Sequence, residues 1–262
     1  MKRTSKTPSP TETGQATSKE TPPSDIPFAY RDYVEAQKNI EHAAQRGPFY
    51  GWVWGPTGTG KTSLMREVRQ GFDRHRHQII YLSATQVSTT GIARHLAQAM
   101  HVTPRRSSLE TARLITQALR DQAAPVIAWL DEAHRLAPDT LAELNSLAEF
   151  DPDAPQVFSV IFSGPKELLT LLDDRRLVAL KRRVTVRCHL AGLRRSELDP
   201  FLGHRFGSVD ERRLPHDLRD ELFERTQGAP AIVDVVVRIA LQQTTEPVTA
   251  QTLKEVLDVH AS

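Results

Sequence analysis

The eight residues Gly55-Pro56-Thr57-Gly58-Thr59-Gly60-Lys61-Thr62 constrain this chain more than any other stretch. They fit the pattern GxxxxGK[ST] and stand between an apolar, β-rich run (Phe49 to Trp54) and a helical one (Lys61 to Gln70, with Gly71 next), which is the context the pattern requires. Glycines let successive backbone N–H groups converge on phosphate oxygens, and the new helix N-terminus adds the positive end of its dipole. A Gly/Thr loop that served only as a flexible turn would need neither flank. Gly55 to Thr62, continued by Ser63, are therefore the expected contacts to a nucleoside triphosphate, with Lys61 at the β and γ phosphates and the Thr62 hydroxyl on Mg²⁺. ATP and Mg²⁺ are the ligands this implies.

A second element lies some 70 residues on. Val126-Ile127-Ala128-Trp129-Leu130-Asp131-Glu132 is an apolar strand ending in two carboxylates. A buried strand delivers Asp131 to Mg²⁺ and its water shell, while Glu132, one residue further, is placed to polarise an attacking water. Phosphoryl transfer asks for little beyond such positioning and charge compensation. The presence of both acids argues for ATP hydrolysis over a binding switch. Asp131-Glu132-Ala133-His134 also spells the DEAH of one helicase class, and Ser83-Ala84-Thr85 another motif of those enzymes. Their order is reversed here, and no room for a second motor domain follows residue 191, which argues against a helicase.

Short β-rich runs recur at Phe49 to Trp54, Gln78 to Ser83, Val126 to Asp131, Val157 to Ser163 and Val184 to Leu190. Helices are expected between them, at Gly91 to Met100, Leu109 to Gln122, Asp139 to Glu149 and Lys166 to Asp173, and before them at Arg31 to Arg46. Ser107 and Glu110 have the spacing of a capping box. This alternation predicts an α/β domain over residues 26–191, a five-stranded parallel sheet flanked by helices. Beyond Gly192 the strand signals stop. Ser196 to Phe206, Pro215 to Thr226, Ala231 to Gln242 and Thr249 to His260 read as helices of a small all-helical lid domain, 192–262. Residues 1–25, rich in Thr, Ser, Pro, Lys and Glu, bury too little to order and read as a disordered tail.

The longest apolar stretch, Ala123 to Leu130, has eight residues, far short of the roughly 18 to 20 that span a bilayer. The basic N-terminus has no apolar core behind it, so it does not read as a secretory signal. One cysteine, Cys188, permits no intramolecular disulfide and reads as a small buried hydrophobe. These features give a cytoplasmic expectation with no membrane partner. The histidines, His42, His75, His77, His95 and His134 among them, show no clustered ligand set and read as surface or capping residues. Trp52, Trp54 and Trp129 lie on strands and read as core.

The net charge of +2 says little, but its distribution is uneven: +1 over residues 1–25, +6 over 26–125 and −5 over 126–262. A basic surface would come from the middle segment, with a local cluster at Arg175, Arg176, Lys181, Arg182, Arg183 and Arg187. Solvated helix faces are the plain alternative for both.

With these motifs the chain resembles the AAA+ ATPases, P-loop NTPases, and within them the group that includes the ExeA/GspA-type ATPases and the TnsC and Mu-B-type transposition helpers. The resemblance runs over about residues 28–243. It rests on GPTGTGKTSL (55–64), VIAWLDEAHRL (126–136), VIFSGPKEL (160–168), LVALKRRVTVRCHLAGL (177–193) and GAPAIVDVVVRIAL (228–241). The resemblance implies that Ser163 is the sensor that meets the γ-phosphate or the lytic water. It makes Arg183, with Arg182 beside it, the finger that reaches a neighbouring subunit's ATP. Relatives carry Arg after the Gly-x-Pro of the lid. Here Ala231 follows Pro230, so another residue such as Arg238 would have to reach the nucleotide, or lid closure would be less tightly linked to ATP. Transposition helpers assemble with ATP as homo-oligomeric rings or helical filaments on double-stranded DNA and recruit a transposase. Phosphate contacts independent of sequence would then come from Arg94, Arg105, Arg106 and Arg113. ExeA-type ATPases usually carry a membrane segment and a cell-wall-binding part, which weakens but does not remove a secretion or envelope-assembly reading. A third is an ATP-gated scaffold that never touches DNA.

Overall fold

In the computed structural model, residues 27–72, 77–84, 91–122, 124–148, 158–207, 213–244 and 246–261 are described. The tail expected over residues 1–25 lies outside them, as do Val157, Glu149, Thr85 and His75.

Five strands, β1 (Tyr50–Trp54), β2 (Gln78–Ser83), β3 (Val126–Asp131), β4 (Phe158–Gly164) and β5 (Val184–His189), form one sheet in the order β2-β3-β4-β1-β5. Every pairing is parallel. Central β3 and β4 are buried at every residue, as expected of strands covered on both faces, whereas edge strand β5 alternates buried and exposed. The register aligns Trp54 with Gly164 and Ser83 with Asp131, so the carboxyl ends of four strands finish level along one rim. The chain passes from β1 to the far edge, returns through β3 and β4, and crosses to β5. That places β1 at the switch point where open α/β sheets bind ligands.

The helices are α1 (Arg31–Arg46), α2 (Lys61–Gly71), α3 (Ile92–Ala99), α4 (Ser108–Arg120), α5 (Pro138–Ala148), α6 (Glu167–Leu171) and α7 (Val178–Arg183). They are followed by α8 (Arg195–Phe206), α9 (His216–Thr226), α10 (Pro230–Gln243) and α11 (Ala250–His260). In α1, Tyr33, Ala36, Ile40 and Ala44 are buried at helical spacing. The Ser107 hydroxyl accepts from the Glu110 N–H at 3.3 Å, making its half of the expected box. Two differences stand out against expectation. Helix α6 stops at Leu171 short of Asp173, and α7 is a helix not read in the basic run before β5. There Leu177 and Leu180, three apart and both buried, turn one side of that charged segment into the core.

A hydrophobic core lies on each sheet face. One joins α3, α4 and α5 to the sheet through Ile92, Leu96, Ile115 and Leu141. The other runs from Val53, Ile127 and Ile161 through α1 and α2 into the C-terminal helices at Leu198, Phe201, Val233 and Leu253. The boundary expected at residue 191 falls within one continuous buried cluster that spans both sides of it. Glu197 ties the junction, accepting from the Arg31 N–H at the start of α1 and the Arg194 N–H at the start of α8, both at 2.8 Å.

Candidate nucleotide site

The loop leaves β1 through a narrow gap. Gly55 N–H donates to the Gly164 carbonyl at 3.2 Å, and a Cβ at Gly55 would stand 2.1 Å from the Leu190 carbonyl oxygen, so only glycine passes there. Gly58 and Gly60 have φ of +84° and +94°, values that favour glycine. The loop is braced from outside: the Tyr30 hydroxyl donates to the Thr59 carbonyl at 2.8 Å, and the Thr59 hydroxyl to the Pro56 carbonyl at 2.9 Å. At the start of α2, the Leu64 N–H donates to the Gly60 carbonyl at 2.8 Å. Tyr30, which makes this brace, was not signalled by the sequence motif.

Lys61 curls across the loop, its Nζ donating to the carbonyls of Gly55 at 2.7 Å and Pro56 at 2.8 Å. Burial lowers its pKa from the ordinary lysine value, against the opposing pull of the Glu132 and Asp131 carboxylates. Asp131, at the end of β3, is buried and fully engaged. Its Oδ2 accepts from the Thr62 hydroxyl at 2.8 Å and the Tyr81 hydroxyl at 3.1 Å. Its Oδ1 accepts from the Ser163 hydroxyl at 2.7 Å and the Glu132 N–H at 3.1 Å. The phenol of Tyr81 is raised above its usual pKa by burial first and then by that carboxylate.

The next residue turns sharply. Glu132 has φ 55° and ψ 34°, a left-handed conformation that costs a non-glycine residue about 1–3 kcal/mol. The turn swings its carboxylate away from Asp131 to a half-exposed position, 3.5 Å from Arg135 Nε and 3.8 Å from His134 Nε2. His134 departs from the surface or capping role expected of it. Its ring is mostly buried beside Glu132, and among the described residues its Nδ1 has no hydrogen-bond partner; a Cβ on Gly164 would come within 3.2 Å of that atom.

Ser163, expected to meet the γ-phosphate or the lytic water, adjoins Asp131. It is completely buried, its hydroxyl donating to Asp131 and accepting from the indole N–H of Trp129 at 2.9 Å. Trp129 is core, as expected, and in addition supplies this one polar contact.

Beside the loop, a cleft of about 360 Å³ opens between Gly58, Thr59 and Ser63 on one side and Pro230, Ala231 and Asp234 of α10 on the other. Phe28 and Tyr30 also line it. The Ala231 N–H donates to the Gly58 carbonyl at 3.0 Å, so the helical segment is bonded to the loop by backbone. Arg238 does not line the cleft; it is bound to Asp234 at 3.0 Å and lies over the Phe206 ring. Arg205 of α8 does line it.

The other predicted residues do not line the cleft. Arg183 ends α7 half-buried, with Arg182 exposed next to it. Arg94 on α3, Arg105 and Arg106 between α3 and α4, and Arg113 on α4 are exposed. His95 Nδ1 meets the Gly91 carbonyl at 2.7 Å, and His77 Nε2 meets the carbonyl of Ala44 in the last turn of α1 at 3.2 Å. Burial pushes the Cys188 thiol up to about 12. Among the described residues no helix is long and apolar enough to cross a membrane.

The family model for an AAA domain matches residues 46–172, which contain the loop and the β3 carboxylates. The chain is 24% identical over 217 residues to the general secretion pathway protein A of Aeromonas hydrophila. That match takes in 79% of this chain but 39% of the relative's length. Among solved structures, Cdc6p of Pyrobaculum aerophilum superposes with a TM-score of 0.69 at 17% identity, over 91% of this chain and 69% of that one. The Aeropyrum pernix ORC2 protein gives 0.67 at 13%, over 93% and 71%. The Aeropyrum pernix ORC1 protein, solved in complex with DNA, gives 0.59 at 19%, over 87% and 64%. The likeness at these identities is one of fold, and the fold is that of the AAA+ P-loop ATPases.

Proposed function

We propose that the chain binds Mg·ATP at the β1 rim and hydrolyses it to ADP, Glu132 acting as the base for water. The observation that carries this reading is the convergence of Lys61, Thr62, Asp131 and Glu132 at the carboxyl ends of β1 and β3, with a nucleoside-sized cleft beside the loop. On nucleotide entry, Lys61 exchanges its two loop carbonyls for phosphate oxygens. The Thr62 hydroxyl and the Asp131 carboxylate, 2.8 Å apart, suit a cation that takes one or two protein oxygens and keeps the rest of its shell in water and phosphate. When bound, Mg²⁺ supplies charge neutralisation on the phosphates. Ser163 and Tyr81 hold Asp131 in place, and Glu132 accepts the proton of the attacking water. Arg183 extends toward the site of a neighbouring copy, making hydrolysis conditional on assembly.

In the cell we favour an ATP-dependent regulator of DNA transposition that oligomerises on double-stranded DNA and recruits a transposase. The exposed arginines of α3, α4 and their connection, and a fold shared with a protein solved in complex with DNA, support DNA as the partner. The similarity to general secretion pathway protein A supports a second reading, an ATPase of secretion or envelope assembly. Steady-state ATP hydrolysis, measured with and without long double-stranded DNA across a salt series, separates them. Stimulation that falls steeply with salt is expected for the first. Turnover indifferent to DNA at every salt concentration would sink it in favour of the second.

A further inference from the structure

Position 231 is Ala where the resemblance implies an arginine, yet the cleft is not without a cation. Arg205, in the last turn of α8, lines it together with Asp234, one turn into α10. Arg205 Nε donates to Asp234 Oδ1 at 2.8 Å, and Arg238 Nη2 donates to both Asp234 oxygens at 3.1 and 3.0 Å. Burial alone would favour the neutral acid, but the two guanidinium groups outweigh it and hold the Asp234 pKa below the ordinary value. Asp234 is thus a charged anchor that fixes the head group of Arg205 at the cleft wall. A guanidinium carries five N–H donors in a rigid fork, so a bond to Asp234 and a contact to a ligand are compatible. The pair also sits at a defined end of the site. The cleft borders Gly58, Thr59 and Ser63 and does not include Lys61, Asp131 or Glu132, which mark the end where the γ-phosphate would be cleaved.

We propose that Arg205, oriented by Asp234, is a nucleotide-binding residue that contacts the ribose and α-phosphate end of the bound nucleoside polyphosphate. The inference rests on the nucleotide-site reading above. It differs from a lid arginine that senses the γ-phosphate, because the contact is shared by di- and triphosphate alike.

The test is calorimetric titration of the full chain with ADP and with the non-hydrolysable imido analogue of ATP. Arg205→Ala should weaken both by a common factor of about tenfold or more, the effect of removing one charge-assisted contact. Arg205→Gln, which keeps the stem and loses the charge, should weaken both in the same direction and carries the comparison if the alanine variant does not fold. Arg238→Ala removes the other partner of Asp234 but no lining residue, so it should lower the ligand-free melting temperature and leave both affinities within about twofold. Affinities unchanged in the Arg205 variants, a loss confined to the ATP analogue, or an equal loss in Arg238→Ala would each overturn the proposal. If the unsubstituted chain bound neither ligand, the nucleotide site itself would be refuted.

Discussion

Asp131 accepts four hydrogen bonds on two oxygens, whereas Glu132, its neighbour, turns through a left-handed backbone and meets Arg135 and His134 at longer range. One acid is fixed and the other loosely held, and if Glu132 moves the proton as proposed, substitutions at the two should separate binding from chemistry. Glu132→Gln is expected to retain ATP through gel filtration while phosphate release falls by about 100-fold or more, the range for loss of a general base. Equal turnover in variant and parent would remove Glu132 from the catalytic role. Trp129→Phe takes away the indole N–H that orients Ser163 and nothing else polar. It should cost about 1–2 kcal/mol of stability in denaturant titration and lower hydrolysis with little change in nucleotide affinity. Loss of affinity in step with turnover would instead point to a collapsed loop. The identities of Lys61, Thr62, Asp131 and Glu132 were legible from motif and flank because each motif residue is close in sequence to the element that aims it. The partner of Ser163 was not, since a hydroxyl at a strand end carries no mark of whether it faces solvent or, as here, a carboxylate on the next strand.

Elements were legible wherever periodicity was long. Strands β2 and β3 and helix α1 have the expected bounds, and each C-terminal helix lies within one residue of its expected limits. Helix α7 escaped because five of its six residues, all but Leu180, are either charged or exposed, and Leu180 with the preceding Leu177 makes too short a buried stripe to register. The polar ties between the C-terminal helices were equally hidden, since they join residues 20 and 29 apart: Asp199 to Arg219 at 2.8 Å, and Asp234 to Arg205 at 2.8 Å. For both acids burial acts to raise the pKa, and the paired arginines overcome it and leave the value lowered. A carboxyl whose folded pKa is depressed contributes stability above its unfolded value and loses it as pH falls. Below about pH 4, where the unfolded chain takes up these protons first, the C-terminal helices should loosen ahead of the sheet. Hydrogen exchange at pH 3 to 4 checks this: faster exchange is expected in α8 to α10 than in β3 and β4, and uniform exchange would contradict it.

At the scale of the whole molecule, one core passes from the sheet through α1 and α2 into the C-terminal helices, and the Ala231–Gly58 backbone bond joins those helices to the phosphate loop. A nucleotide that shifted the loop would therefore also shift the helix bonded to it. Arg183 sits at the other end of the machinery, on α7 just before edge strand β5, away from the residues that converge around its own Lys61. If it completes the site of an adjacent copy, each active site is built from two chains, and a defect in one chain can be complemented by another. Arg183→Ala keeps a sound Glu132, and Glu132→Gln keeps a sound Arg183. Each alone should be close to inactive while still binding ATP. In an equimolar mixture that assembles at random, a site with Glu132 from the first variant stands beside an Arg183 from the second in about one interface in four, so roughly a quarter of parental hydrolysis should return. Recovery should rise with total protein concentration, because dilution separates the chains. A mixture no more active than its components at any concentration would assign Arg183 to a role within its own chain and leave the composite site without support.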